Sequence, residues 1–278
     1  MGSVHQRIVL VTGASSGIGR ACAQHLCHKG YRVYGTSRRA PWPEGNPQAS
    51  TPTMIPMDVT SDESVAQAVA WIMAREQRLD VVVNCAGYSL SGGVEDTSLE
   101  EARAEFETNF FGAVRVSRQV LPVMRRQESG YLVHIGSLAG LLGIPFQGFY
   151  SASKFALDGL MEALRAEVSP YGVQVVLIVP GDFYTGFTAN RIEAQAAQAG
   201  KSAYAGNYAK ALKVMVNDEI HGHAPERIAR LLERIITTRS PRLRYITGPL
   251  AEQFLVALKK VLPERLFGWL LVKYYQIS

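Results

Sequence analysis

The 278-residue chain has three cysteines, Cys22, Cys27 and Cys85, an odd number with no CxxC spacing. A disulfide framework and a thiolate metal site are therefore not expected. The three read as reduced packing residues of a cytosolic protein. Histidines are also few. Of His5, His25, His28, His134, His221 and His223, only His221-Gly222-His223 approaches a ligand spacing. No acidic or cysteine partner stands at ligand spacing beside it, so no metal is expected. No apolar run reaches about 18 residues, which excludes a bilayer-spanning helix. Met1 to Gln6 lacks the apolar stretch of a secretory signal, and the expectation is a cytoplasmic protein. Long basic runs are missing too. The net charge is +5, and Arg38-Arg39, Arg125-Arg126 and Lys259-Lys260 are only pairs. A nucleic-acid partner is not expected, whereas a local pair suits a small ligand bearing phosphate.

What remains is a chain with 47% hydrophobic and 19% charged residues, the balance of a globular protein. Nothing between Arg7 and Gly248 reads as a linker, so residues 1–278 are taken as a single domain. Short apolar runs alternate with helical patterns along the whole length.

The first run, Arg7 to Thr12, is followed by Gly13-Ala14-Ser15-Ser16-Gly17-Ile18-Gly19 and then a helical pattern through Lys29. Strand, glycine-rich turn and helix form the context in which such a motif holds a dinucleotide. Gly13 permits the tight turn, Gly17 lets a pyrophosphate approach the backbone, and Gly19 lets the helix pack on the sheet. The helix start adds free N–H groups and the positive end of its dipole. The second strand, Tyr31 to Ser37, ends without a carboxylate; none comes before Glu44. An acid there would bind a free ribose hydroxyl, whereas Arg38 is a planar ligand for a 2′-phosphate. The cofactor expected is NADP(H) in preference to NAD(H).

Ala40 to Pro52, rich in proline, is a loop where many such proteins place a helix. The third strand, Thr53 to Met57, ends at Asp58-Val59. Asp58 serves either an adenine amino group or a turn cap. A helix over Asp62–Arg75 leads to a fourth strand, Leu79 to Val83, and to Asn84-Cys85-Ala86-Gly87, small residues that let the backbone pass under a flat ligand. A long helical pattern over Glu100–Met124 contains Asn109, a poor helix former that suggests a kink or a polar task. The fifth strand, Tyr131 to Gly136, delivers Ser137 to the ligand side of the sheet. The next helix runs from about Phe149 to Val168. On it Tyr150 and Lys154 are four residues apart and share a face. A nearby ammonium favours the phenolate and lowers the tyrosine pKa, so the phenol can move protons near neutral pH. The sixth strand, Val173 to Val179, ends in Pro180-Gly181-Asp182-Phe183-Tyr184-Thr185. Residues 182–223 form a long connection of the kind that makes lids. A helix over Pro225–Thr237 and a last strand, Arg244 to Thr247, follow. The apolar tail, Leu250 to Ser278, carries Lys259, Lys260, Arg265 and Lys273. It packs on the domain, lines a dimer contact or lies on a membrane surface.

In order and spacing these segments together resemble the short-chain dehydrogenase/reductase family from Arg7 to about Thr247. Cys85 departs from the family's usual second asparagine. The resemblance implies an α/β Rossmann fold with a doubly wound, seven-stranded parallel sheet. It implies Tyr150 as acid/base, Lys154 as the residue that lowers its pKa and holds the nicotinamide ribose, Ser137 on the substrate oxygen, and Asn109 holding a relay water. It extends cofactor contact to Gly13, Ser15, Ser16, Gly17, Ile18, Gly19, Ser37, Arg38, Asp58, Val59, Asn84, Ala86, Gly87, Pro180, Gly181, Phe183 and Thr185. It also implies a homodimer or homotetramer. Two segments, Val33 to Arg38 and Tyr150 to Leu160, are similar to the branch with 17β-hydroxysteroid and retinol dehydrogenases. That implies an apolar carbonyl or alcohol substrate that is steroid-, retinoid- or lipid-like. Tyr88 to Val94, Leu141 to Phe149, Phe183, Tyr184 and Phe187 are expected to line its pocket. The alternative is a non-catalytic NADP-binding regulator on the same fold.

Overall fold

Strands form where β-branched residues run together. In a computed structural model, which describes residues 6–45, 50–186, 188, 190–198 and 202–277, β1 (Ile8–Val11), β4 (Val81–Asn84) and β7 (Val173–Pro180) are almost wholly buried. They are continuous apolar runs because helices cover both faces of the sheet. With β2 (Arg32–Ser37), β3 (Thr53–Pro56), β6 (Gly130–Ile135) and β9 (Arg244–Thr247) they build one parallel sheet in the order β3-β2-β1-β4-β6-β7-β9. A separate two-stranded ribbon pairs β5 (Leu90–Ser91) in parallel with β8 (Ile192–Glu193). Val9 of β1 is in register with Val33 of β2 and with Val81 of β4. The strand order reverses at β1 and β4, and the crevice beyond their carboxyl ends is where such sheets bind ligands.

One face is covered by α1 (Gly17–His28) and α8 (Glu226–Thr237), packed with Leu26, Ile228 and Leu232 against β1, β4 and β7. The other carries α2 (Asp62–Glu76), α4 (Gly112–Gln127) and α5 (Gly148–Val168), with α3 (Leu99–Phe106) before them. Helix starts are capped where the sequence allows: Ser61 accepts from the Ser64 N–H at 3.2 Å, and Ser98 and Glu101 form a reciprocal capping box. The long helix anticipated over 100–124 is instead interrupted by a π-turn at Glu107–Phe111, which contains Asn109. Such turns recur at functional positions. The connection over residues 182–223 holds α6 (Gln195–Gln198) and α7 (Ala205–Ile220), and the tail folds into α9 (Leu250–Val261) and α10 (Glu264–Tyr274). Among the described residues, no helix is long and apolar enough to cross a membrane.

Candidate active site

The nucleotide side is set by two strand ends. The Thr12 hydroxyl at the end of β1 accepts from the Cys85 and Ala86 N–H groups at 2.9 and 3.0 Å, tying the ends of β1 and β4 together. Helix α1 starts at Gly17 with nothing spent on its terminus. The Ser16 side chain makes no capping bond, and the first turn has no acid. Gly17 sits at φ +51, where a side chain is strained, and an added Cβ would point at Thr185 Cβ, 3.6 Å away. Beside it lies a cavity of about 750 Å³ lined by Gly17, Arg20, Thr185 and Gly186. An unspent helix N-terminus, a glycine that leaves the backbone open at its start and an arginine together fit a diphosphate. Ser15 and Ser16 are exposed around the turn, Ile18 packs against the core, and Gly19 is buried.

At the β2 end the Ser37 hydroxyl accepts from the Arg39 N–H at 3.2 Å, and Arg38 is exposed. Asp58 acts as a turn cap, its Oδ1 accepting from the Thr60 N–H and hydroxyl at 2.9 and 2.8 Å. Burial works against its charge, but the Thr60 bonds, Arg38 and Arg115 hold its carboxyl below the ordinary value. Val59 is buried, and its carbonyl accepts from Arg115 at 3.2 Å. Asn84 turns inward: its Nδ2 lies 3.4 Å from His134 Nδ1 and 3.5 Å from Ser117 Oγ. Burial pushes His134 down to about 3, so that ring is neutral. Asn84 thus meets the crevice through its backbone, next to half-buried Ala86. Pro180 closes β7, and the Gly181 N–H donates to Thr247 at 2.7 Å.

Ser137, Tyr150, Lys154 and Asn109 come together at the crevice. The Ser137 hydroxyl hydrogen-bonds the Tyr150 phenol. Lys154 Nζ donates to the Ile135 carbonyl at 3.1 Å and lies 5.7 Å from the Tyr150 ring centre. Asn109 is gripped by Tyr88: its Oδ1 accepts from the Tyr88 N–H at 3.0 Å and its Nδ2 donates to the Tyr88 carbonyl at 2.8 Å. Gly87 is the close approach in this group, since an added Cβ would stand 2.8 Å from Asn109 Oδ1 and 3.9 Å from Lys154 Nζ.

The electrostatics depart from the one-turn argument. Burial pushes the Tyr150 phenol above its ordinary value; Ser137 pulls it down, and Glu105, Glu219 and Asp182 push it up. Lys154 takes no main part, because its ammonium is itself desolvated, lowered to about 8, and aimed at a carbonyl. Tyr150 therefore holds its proton at neutral pH. Behind it sits Glu105, fully buried, with one oxygen accepting from the Leu90 N–H at 2.7 Å. Burial raises its carboxyl to about 8, with Lys154 pulling the other way.

Ser137 opens into a second cavity, of about 240 Å³. Leu142, Ile144 and Gln147 line it, as anticipated for that segment. Other expected walls lie elsewhere. Phe183 is buried in the core under α8 and bridges His223, because its apolar ring follows the strand end inward. Tyr184 faces the first cavity, Leu90 is buried in the β5–β8 ribbon, and Phe187 falls outside the described residues. The remaining wall comes from Asp182, Met215, Asp218 and Glu219 of the 182–223 connection, and from Ala251, Glu252, Leu255, Tyr274 and Tyr275 of the tail. Glu252 accepts from the Asp182 N–H at 2.9 Å, and the two carboxyls share a hydrogen bond. Burial and the neighbouring acids raise both. Asp218 accepts from the Tyr274 phenol at 2.6 Å, and Glu219 pairs with Arg191. Glu105 and the tail's share of the cavity carry no motif. Their only sequence signals are an acid one turn before Asn109 and apolar residues facing inward on the tail helices.

A phosphate-ready turn joined to a serine–tyrosine–lysine group at one sheet edge defines a nicotinamide-dinucleotide oxidoreductase of the single-sheet type. The chain belongs to the short-chain dehydrogenase/reductase family, whose short chain dehydrogenase description matches residues 7–196. It is 40% identical over 271 residues to a 3-ketodihydrosphingosine reductase of Bacteroides thetaiotaomicron, covering 98% of each chain. It is 35% identical to retinol dehydrogenase 8 of Bos taurus, covering 92% of this chain and 86% of that one. A short-chain dehydrogenase from Streptomyces avermitilis superposes with a TM-score of 0.80 at 32% identity, covering 96% and 97% of the two chains.

Proposed function

We propose that this protein is an NADP(H)-dependent reductase of a ketone on a long apolar chain, with an amino ketone of the 3-ketodihydrosphingosine kind as the substrate class. The observation that carries the reading is the cavity on Ser137. It is lined by apolar Leu138, Leu142, Ile144 and Leu255 and by the acids Asp182, Asp218 and Glu252. A retinoid or steroid would leave these acids facing hydrocarbon, whereas an ammonium beside the ketone would meet them.

Reduced nicotinamide, when held in the crevice, would supply the hydride that reduction of a carbonyl carbon needs. The Ser137 hydroxyl donates to the substrate oxygen and stabilises its growing charge. Tyr150, held protonated chiefly by burial, passes its proton to the same oxygen. Lys154 and Asn109 lie behind it, where they hold a ribose hydroxyl and a relay water. Arg38, beside the acid-free end of β2, takes the 2′-phosphate of NADP(H). The test is oxidation of NADPH with 3-ketodihydrosphingosine, a ketosteroid and retinal as substrates. Turnover of the amino ketone at no greater kcat/KM than the other two would overturn the substrate class.

A further inference from the structure

The last two helices do two things at once. Their inner sides close the substrate cavity through Ala251, Glu252, Leu255, Tyr274 and Tyr275. Their outer sides are apolar. On α9, Leu250, Phe254 and Val261 fall on one face at helical spacing, opposite Glu252, Leu255 and Lys259. They are 81%, 65% and 77% exposed. On α10, Arg265, Trp269 and Lys273 recur every fourth residue. They share an exposed face with Leu266, while Phe267 is buried on the other side. Lys259 is engaged by the Leu141 carbonyl at 2.6 Å, but Lys260, Arg265 and Lys273 remain exposed.

We propose that the outward faces of α9 and α10 seat this protein on an anionic lipid bilayer, with the substrate cavity opening beside the contact. Helices of 12 and 11 residues cannot cross a hydrocarbon core, which needs about 20. Lying in the interface, they bury an apolar stripe while flanking cations meet lipid charge. Tryptophan between two cations suits the headgroup level, where its ring is half wet. A second copy of the chain is the poorer occupant. A two-fold contact through these faces sets Lys260, Arg265 and Lys273 near the same positive set, whereas an anionic surface supplies the opposite sign. The cavity points the same way. At about 240 Å³ it is below the roughly 300–1,000 Å³ of sites that enclose a ligand, so a long chain has to leave it past the tail helices.

The experiment is sedimentation of the full chain with vesicles of phosphatidylcholine alone or mixed with phosphatidylglycerol, read beside thermal melting. The expected result is partition onto the mixed vesicles, weakened by about 0.5 M salt. Phe254→Ser with Val261→Ser, and separately Trp269→Ser, should each reduce that partition by about tenfold or more at an unchanged melting temperature. Should the apolar variants misfold, Lys260→Glu with Lys273→Glu supplies the second arm and should abolish the preference for phosphatidylglycerol. Three outcomes overturn the proposal: wild-type protein left in the supernatant with both vesicles, variants that partition like wild type, or apolar variants that split a soluble oligomer without changing partition. None of these readouts depends on turnover, so they stand apart from the choice of substrate.

Discussion

The two cavities at the carboxyl edge of the sheet are built in opposite ways. The one beside Gly17 rests on a strand end, a helix start and Arg20, and offers backbone N–H groups to an anion. The one on Ser137 is walled in part by the 182–223 connection and the tail and gathers carboxyls. Tyr150 joins the second through its hydrogen bond to Ser137, with the Lys154 ammonium 5.7 Å from its ring centre. The difference teaches a division of labour. The cofactor end follows from local chain geometry that any sequence with the same turn reproduces. The second end follows from how distant segments meet, and on the proposed reading it would set both which ketone enters and how tightly Tyr150 keeps its proton.

The largest effect should come from the phenol hydrogen-bonded to Ser137. Tyr150→Phe removes the proton donor and leaves both cavities intact. Turnover of every ketone should fall by about 10³-fold or more, with NADPH binding unchanged by fluorescence titration. Activity that survived would mean that the proton comes from somewhere else, and the comparison between the two ends would lose its centre. A tier lower, Arg38→Ala touches only the cofactor side. It should weaken NADPH binding by roughly ten- to a hundredfold, with NADH affected little. Equal losses for both would show that the end of β2 does not read the 2′-phosphate.

The sequence makes the first side legible and the second nearly opaque. Gly13 to Gly19 and the Tyr150–Lys154 pair show their purpose because strand–turn–helix chemistry and four-residue spacing are local. The alternating strands and helices agree with the seven-stranded parallel sheet that the family resemblance implies, and Asn109, a poor helix former inside a helical pattern, marks the break that takes the form of a π-turn. Asn84 illustrates the limit: its place after β4 is readable, but its inward turn toward His134 depends on a residue two strands of chain away. The proton hold on Tyr150 was not readable either. It comes from Ser137, Glu105, Glu219 and Asp182, which tertiary packing alone assembles. Asp182 and Glu252 are 70 residues apart, and no periodic signal links them. The tail likewise reads as an apolar segment after the family resemblance ends, although its inner faces complete the cavity.

Asp182→Asn sharpens the comparison on the substrate side. If the acids meet an ammonium, the variant should lose about tenfold in kcat/KM for an amino ketone and little for a ketone of equal length without the amine, a difference of ~1.4 kcal/mol. Equal losses would make the acids a packing feature.

The smallest effect expected from the same substitution is on stability. Burial and the nearby Glu252 raise the folded-state pKa of Asp182 above that of an ordinary aspartate. Between those two values the folded chain holds a proton that the unfolded chain has released. Stability from this group is therefore fully present below the ordinary aspartate range and is lost as pH rises through the folded-state value. Asparagine does not titrate, and its amide can donate to Glu252 where the shared proton does now. Wild-type protein should lose unfolding free energy on going from pH 4 to pH 9, and Asp182→Asn should lose less by roughly 1 kcal/mol or more, read by urea titration at each pH. Parallel pH profiles for the two proteins would mean that the acids at the substrate end carry no strain, and that the two cavities differ in composition without differing in energy.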